Sequence, residues 1–280
     1  MVPIVSAKPE QVILIGDHKQ LQPIITDDGA RRLGLGVSLF ERYATQAHML
    51  VTQYRMHEAI AAFPSQHFYD NRLECGSEVQ KAPSNLRGYW PGGINRPICF
   101  VHIVGKEETL TVSTPEGSEN SRNNMEEVRA VVHIAFNLVN NRKVRVKDIL
   151  ILSQYRAQCA KIKKELSTKY LNIKVSTVVA AQGRESEVVI LSTVRSIPKV
   201  QIESNPSQSW IQRHLGFITD EHQINVALTR AKKGLIIIGN KSLLRVQPMW
   251  KMFFHHYEER KAVTTFKEFT KKAHGPGNWM

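Results

Sequence analysis

The chain has 280 residues, of which 42% are hydrophobic and 22% are charged, a composition that excludes a fibrous or wholly disordered protein. Its 38 Lys and Arg against 25 Asp and Glu give a formal charge of +13, which favours a polyanionic partner such as nucleic acid over a merely soluble basic surface. No apolar run approaches the ~20 residues that span a bilayer, and no signal peptide begins the chain, so we predict an intracellular protein, cytoplasmic or nuclear, with no membrane partner.

The first predicted element is a buried parallel strand over Gln11–Gly16, an apolar run closed by glycine and followed by polar residues. Ligand sites commonly lie at the carboxyl end of such a strand. Beyond it we predict helices at 37–43, 57–69, 123–141, 157–167, 223–232 and 243–257, and strands at 48–52, 98–104, 148–152, 174–178, 188–194 and 235–239. This alternation predicts an α/β fold with a doubly wound, mostly parallel sheet.

Two stretches lack this pattern. Residues 75–97 are rich in Gly, Pro, Ser and Asn and form the best internal linker candidate. The residues after Arg260 are basic, and we predict a frayed tail. The three cysteines, Cys75, Cys99 and Cys159, are far apart and in no CxxC or Cys/His spacing, so the sequence supports neither a disulfide framework nor a zinc site.

Two polar clusters in the first quarter of the chain contain candidate site residues. In GDHKQLQP (16–23), Asp17 and Gln20 follow the first predicted strand, where an acid and an amide can position a water, a metal or a phosphate oxygen. A polar β-turn explains this cluster equally well. In QYRMH (53–57), Arg55 offers a planar fork to a phosphate and Tyr54 can stack on a base. Alone, the second cluster is more simply a surface arginine and a tyrosine at the core edge.

Two further clusters lie in the last third. In QGRE (182–185), Gly183 permits close backbone approach to a ligand, and the Glu185 carboxylate can accept from a ribose hydroxyl or approach a metal-bound water. A glycine-containing β-turn is the alternative. In NVALTRAK (225–232), helical spacing delivers Arg230 to a cleft, or Arg230 simply caps the helix end.

Taken in this order, GDHKQLQP, QYRMH, QGRE followed by VVILSTVR, and NVALTRAK resemble motifs III, IV, V and VI of the superfamily 1B helicases related to the nonsense-mediated-decay helicase (DNA2/NAM7 type). The segments SLFERY, HMLVTQYRMHEAIAAFPS and LGFITDEHQINVALTRA are similar to the large helicase-with-zinc-finger-type proteins. The resemblance runs roughly from Gln11 to Trp250. It implies a RecA-like, P-loop NTPase-type second motor domain.

The resemblance also implies roles at the nucleotide. Gln20 would sense the γ-phosphate, and Arg55 and Arg230 would act as arginine fingers across the cleft between two motor domains. Tyr54 would lie against the adenine, and Glu185 with Gly183 near the ribose and metal. Asp17 is placed with these nucleotide contacts.

Along the nucleic-acid path, the resemblance implies contacts from Thr177, Gln182 and Arg195, together with the basic surface. The partner would be single-stranded RNA or DNA. Val179-Ala180-Ala181 stands where many relatives have a polar or aromatic residue, so one such contact differs here.

The chain departs from a complete motor because it contains neither GxxxxGK[ST] nor a DEAx-type acidic box. We therefore expect ATP with Mg²⁺ to bind only with the missing N-terminal helicase half, the lone chain to be inactive, and Met1 to be an internal methionine of a longer protein. The predicted domains are a stub of the first RecA-like domain (1–35), the second RecA-like domain (36–258) and a basic tail (259–280). The alternative is a truncated, non-enzymatic nucleic-acid-binding or interaction module. A Rossmann-type dehydrogenase is excluded because no GxGxxG follows the first strand.

Overall fold

The structure is a computed structural model that describes residues 2–23, 25, 27–77, 84–86, 88–114 and 117–274. The chain forms two compact units, Met1–Leu50 and Val51–Met280. This division lies 15 residues after the boundary between the two RecA-like domains that the sequence predicts at 35/36. The assignment of the two segments to a first and a second motor domain stays a prediction.

The smaller unit contains three short helices: α1 (Val2–Ala7), α2 (Asp28–Arg32) and α3 (Leu39–Arg42). The strand predicted over Gln11–Gly16 is wrong here, because this segment has no regular structure and the Ile13 and Ile15 side chains are 85% and 88% exposed. An apolar strand needs neighbouring strands to satisfy its backbone and cover its side chains. Within the described residues no strand pairs with this segment.

The larger unit contains the remaining elements. In chain order they are β1 (Thr52–Gln53), α4 (Glu58–Phe68), β2 (Glu74–Cys75), β3 (Ile98–His102), β4 (Glu107–Thr114), β5 (Gly117–Asn124), α5 (Met125–Asn140), β6 (Ile149–Ser153), α6 (Arg156–Thr168), β7 (Lys174–Thr177), β8 (Ser186–Ser192), α7 (Gln208–Leu215), α8 (Glu221–Leu228), β9 (Ala231–Gly239), α9 (Lys241–Leu244), α10 (Pro248–Glu258), β10 (Val263–Thr265) and α11 (Phe266–His274).

Six of these strands form one parallel sheet in the order β10-β3-β9-β8-β6-β7. Its central strands are runs of branched apolar residues, and Ile151, Ile190 and Ile236 stand side by side across three of them, fully buried. Helices lie in most of the connections between successive strands of this sheet, whereas β7 is joined to β8 by a loop with a 3-10 turn. The predicted doubly wound α/β fold is confirmed.

Because every strand of this sheet runs the same way, the sheet has two functionally distinct edges. The amino edge is where the strands begin, at Ser186 of β8 and Ala231 of β9. The carboxyl edge is where they end, at Ser153 of β6 and Thr177 of β7. The seven residues of β8 separate the two edges by about 20 Å.

Three predicted features near the end of the chain and in the linker candidate are wrong. The basic stretch after Arg260 is not frayed over Val263–His274, since β10 pairs with β3 and α11 buries Phe269. The linker candidate carries Tyr89 and Trp90 into the core, where they are 0% and 2% exposed. The helix predicted over 243–257 is two helices, because Pro248 starts the second one.

Candidate functional site

Residues from three of the four polar clusters meet at the amino edge of the sheet. The Glu185 carboxylate lies between two cations, with Oε2 2.6 Å from Arg55 Nε and Oε1 2.6 Å from Lys232 Nζ. Arg55 also donates from Nη1 to the Thr229 carbonyl at 3.3 Å. QYRMH, QGRE and NVALTRAK, which are far apart in the sequence, therefore form one charged group of side chains, which we call the amino-edge cluster: Arg55, Glu185, Arg230 and Lys232.

Arg230 is the buried member of this cluster, with 1% of its surface exposed. It follows α8 by two residues, because α8 ends at Leu228 and β9 begins at Ala231, earlier than predicted. Its Nε donates to the Val226 carbonyl at 3.0 Å and its Nη1 to the Arg184 carbonyl at 3.2 Å. Arg230 therefore ties the end of α8 to the QGRE loop.

The QYRMH segment is held in place by its own side chains and by β9. Gln53 Oε1 accepts from the backbone N–H groups of Arg55 and Met56, at 3.0 and 2.8 Å. The His57 N–H donates to the Lys232 carbonyl at 2.8 Å, and the His57 ring caps α4 by accepting from Ala59. Burial lowers the pKa of His57, which keeps the ring neutral and able to accept. These bonds fix the backbone from which the Arg55 side chain, about one third exposed, projects.

Tyr54 lies beside this segment with 62% of its surface exposed. Its ring covers Gly76 so closely that a Cβ at that position would come within 2.3 Å of Tyr54 Cε1. The ring presents an exposed face next to Arg55, which is the arrangement that stacking on a base requires.

The QGRE loop crosses from the carboxyl edge to the amino edge. It leaves β7 after Thr177, passes through a 3-10 turn at Val179–Ala181 and enters β8 at Ser186. Gly183 has a φ of +75°, a left-handed conformation that costs most residues free energy. Hydrogen bonds from Lys232 and Arg55 lower the pKa of Glu185, so its carboxylate is ionised at neutral pH.

The residues predicted to face nucleic acid do not lie together. Thr177 is at the carboxyl edge and half-buried, while Gln182 is exposed in the crossing loop. Arg195 follows β8 and is 3% exposed, because its Nε binds Glu107 Oε2 at 2.8 Å and its Nη2 donates to the Arg213 carbonyl at 2.8 Å. Its guanidinium is therefore engaged inside the unit and does not form part of the exposed surface.

Asp17 and Gln20 belong to the smaller unit. Gln20 Nε2 donates to Asp17 Oδ2 at 2.7 Å, and Asp17 Oδ1 accepts from the Lys19 N–H at 2.9 Å. Asp17 and Gln20 are therefore hydrogen-bonded to each other within this turn.

Sequence reasoning missed two sets of polar residues. The first is Lys232, which pairs with Glu185. Its position in the NVALTRAK cluster, two residues after Arg230, could have indicated that it also lies at the site. The second set surrounds Glu127 at the start of α5, whose Oε2 accepts from Ser192 Oγ at 2.6 Å and from the Val194 N–H at 2.9 Å. Burial raises the pKa of Glu127 to about 8. Val194 is held at a φ of +72°, unusual for a branched residue, just before Arg195.

Residues 35–242 match the family model described as an AAA domain. The chain belongs to this family. The human 3′-5′ exoribonuclease HELZ2 is 43% identical over 265 residues, covering 94% of this chain and 9% of that protein. The Drosophila melanogaster regulator of nonsense transcripts 1 homolog is 34% identical over 273 residues (94% and 21%), and the Saccharomyces cerevisiae ATP-dependent helicase NAM7 is 33% identical over 272 residues (93% and 26%). These relatives confirm the resemblance to superfamily 1B helicases.

The chain spans between 9% and 26% of the length of these relatives. Among solved structures, the C-terminal domain of a possible DNA helicase from Lactobacillus plantarum WCFS1 covers 76% of this chain and 99% of its own, with a TM-score of 0.38 and 14% identity, too low to support an argument.

Over the described residues, no helix is long and apolar enough to cross a membrane. In the same part of the chain, no group of three or more His, Cys, Asp or Glu side chains is arranged to hold a metal ion.

Proposed function

We propose that this chain is the second motor domain of an ATP-dependent helicase and supplies arginine fingers to a nucleotide held by a first motor domain. The observation that carries the proposal is the convergence of Arg55, Glu185 and Arg230 at one edge of the sheet. Two guanidinium groups delivered to one place are suited to the charge that develops on a transferring phosphoryl group.

The two exposed basic side chains of the amino-edge cluster already bind a carboxylate, that of Glu185. Arg55 and Lys232 each hold an oxygen of the Glu185 carboxylate at 2.6 Å, with the planar guanidinium donating from Nε. A γ-phosphate presents oxygens of the same kind with more charge, so it can compete for Arg55. The donors fit the terminal phosphate of a nucleotide, whereas the Mg²⁺ and the α- and β-phosphates need the loop and acidic box that this sequence lacks.

Each side chain has a distinct part in the proposal. Arg55, one third exposed, moves from Glu185 to the γ-phosphate when nucleotide binds. Arg230 approaches the same phosphate from its buried position and exchanges one of its carbonyl contacts. Tyr54 lies against the base. Glu185 and Gly183 lie near the ribose and the metal. Hydrolysis then alters how tightly the two motor domains hold a single strand, with Thr177 and Gln182 on the strand side.

Coupling between nucleotide and strand tests this proposal against the non-enzymatic alternative. A longer chain that also carries the upstream motor domain is titrated with labelled single-stranded RNA and DNA, with and without a non-hydrolysable ATP analogue. A helicase motor changes its strand affinity when the analogue binds, and Arg55→Ala weakens this change. Strand binding that is indifferent to the analogue supports a binding module and contradicts the motor.

A further inference from the structure

Phe217 is an aromatic side chain on the surface of the larger unit, with 56% of its area exposed. It lies in a 3-10 turn, Gly216–Thr219, between α7 and α8. Leu215, directly before the turn, and Ile218, within it, are both 0% exposed. The ring therefore projects from an anchored turn.

Several contacts hold the backbone of this turn. The Phe217 carbonyl accepts from Gln154 Nε2 at 2.7 Å, and the Ile218 carbonyl accepts from the indole Nε1 of Trp250 at 3.0 Å. Gly216 has a φ of +55°, and a Cβ there would come within 2.6 Å of Arg195 Nη1. The Arg195–Glu107 ion pair thus packs directly under the turn. A ring on such a rigid support loses little conformational freedom when a ligand stacks on it.

The turn stands at the carboxyl edge of the sheet, on the side predicted to face nucleic acid. Gln154 directly follows the last residue of β6, and that residue, Ser153, pairs with Thr177 of β7. Through Gln154, the Phe217 turn is therefore linked to the end of the strand that carries Thr177. Tyr155 supports the Phe217 ring from below, with ring centroids 5.9 Å apart.

Positive charge accompanies this exposed ring. Arg213 lies in the last turn of α7, four residues before Phe217, and is exposed. Within the described part of the chain it forms no side-chain ion pair with an acid. Exposed aromatic rings next to basic groups are the usual platform for single-stranded nucleic acid, because every base has a face that stacks and every phosphate a charge to neutralise.

We propose that Phe217 stacks on a base of a single strand that runs along the carboxyl edge past Thr177. This inference rests on the proposed function, since it names how the strand of that motor is held. Stacking tolerates any base, so Phe217 contributes affinity without sequence preference. Arg195 and Glu107 act indirectly, because they fix the turn from beneath it.

The test uses this chain, a fluorescein-labelled oligouridylate about 12 nucleotides long, and anisotropy titrations at low ionic strength. Phe217→Ala weakens binding roughly fivefold or more, and Phe217→Leu does the same because a leucine is apolar but cannot stack. Phe217→Trp keeps the affinity, and its added tryptophan fluorescence is quenched when the strand binds. Tyr170→Ala is the matched control, since Tyr170 is 97% exposed and precedes β7 at the amino edge; it leaves binding unchanged.

Two results overturn the inference in distinguishable ways. If the unaltered chain binds the strand and Phe217→Ala or Phe217→Leu binds equally well, the stacking role is wrong while the proposed function stands; the exposed ring is then an apolar contact for a protein. If the unaltered chain does not bind the strand at all, the stacking role is contradicted, whereas the proposed function is judged separately by the nucleotide-coupled titration of the longer chain. Circular dichroism spectra of the variants that match the parent exclude misfolding as the cause.

Discussion

Arg55 and Glu185, 130 positions apart in the sequence, form an ion pair with 2.6 Å between Nε and Oε2. The Arg55 side chain is 34% exposed to solvent and the Glu185 side chain is 39% exposed. Exposed ion pairs of this kind contribute little to the stability of the fold. The pair therefore matters mainly because it holds the Arg55 guanidinium at the amino edge, beside the turn that carries Arg230.

Replacing Glu185 tests this distinction between position and stability. We expect Glu185→Gln to lower the free energy of unfolding by less than about 1 kcal/mol at neutral pH. Because the pKa of Glu185 is lowered in the folded state, its contribution is present above the unfolded carboxyl pKa and is lost as pH falls through the folded value. Urea unfolding at neutral pH and near pH 4 measures this difference. Glu187→Gln, which breaks the neighbouring 2.6 Å pair with Lys233, is the control of equal charge. A loss of several kcal/mol for Glu185→Gln would contradict a mainly positional role.

The turn before Glu185 predicts a conformational effect. Gly183 has a φ of +75°, and among the described residues no atom lies within 4 Å of the position its Cβ would occupy. Gly183→Ala should therefore cost about 1 kcal/mol through backbone strain alone, and Gly183→Asn less, because asparagine tolerates the left-handed region better. Denaturant midpoints of the two variants measure this order. Equal stability of Gly183→Ala and the parent would show that the turn does not hold this conformation in solution.

The sheet was largely predictable because its strands are continuous apolar runs separated by helices with one apolar face. The start of β9 was not predicted, because charged residues stand where the apolar pattern of a buried strand was expected. The first residues of β9 include Lys232 and Lys233, whose charges are paired with Glu185 and Glu187. The hairpin β4–β5 was not predicted, because the sequence of residues 107–124 is mostly polar.

The candidate site was predictable in its residue types but not in its geometry. The clusters containing Arg55, Glu185 and Arg230 were identified from their residues and order, and the fold brings them together. The burial of Arg195 was not predictable, because its partner Glu107 lies in the unpredicted hairpin. The same holds for Phe217, whose exposure depends on how its turn is anchored.

Glu127 predicts a pH dependence of stability. Its pKa is raised to about 8 by burial, so between the unfolded carboxyl pKa and pH 8 the folded state holds a proton that the unfolded state has released. The free energy of unfolding should therefore fall as pH rises through this window. Glu127→Gln removes the charge and keeps the shape, so the variant should lose this part of the pH dependence. Urea unfolding of both proteins at several pH values measures the difference, and parallel pH profiles would contradict it.

The ordered end of the chain gives a stability prediction. Phe269 of α11 is 1% exposed and its ring contacts Tyr89 at a centroid distance of 5.0 Å. We expect Phe269→Ala to cost roughly 3 to 5 kcal/mol of unfolding free energy, as for other buried phenylalanines. Phe136→Ala, at a position 43% exposed on α5, is the control and should cost much less. Similar denaturant midpoints for the two variants would show that α11 does not pack against the core.

The central claim is that this chain supplies arginine fingers to a nucleotide held by a first motor domain. Its most direct test is the rate of single-turnover ATP hydrolysis by a longer chain that also carries a first motor domain, measured with saturating single-stranded nucleic acid. We expect Arg55→Ala and Arg230→Lys each to slow hydrolysis at least about 100-fold while ADP still binds, because a finger acts on charge that develops in the transition state. Lys233→Ala, which removes a nearby positive charge that pairs with Glu187, should hydrolyse ATP at the parental rate. Parental rates for Arg55→Ala and Arg230→Lys would contradict the claim that this chain supplies the arginine fingers.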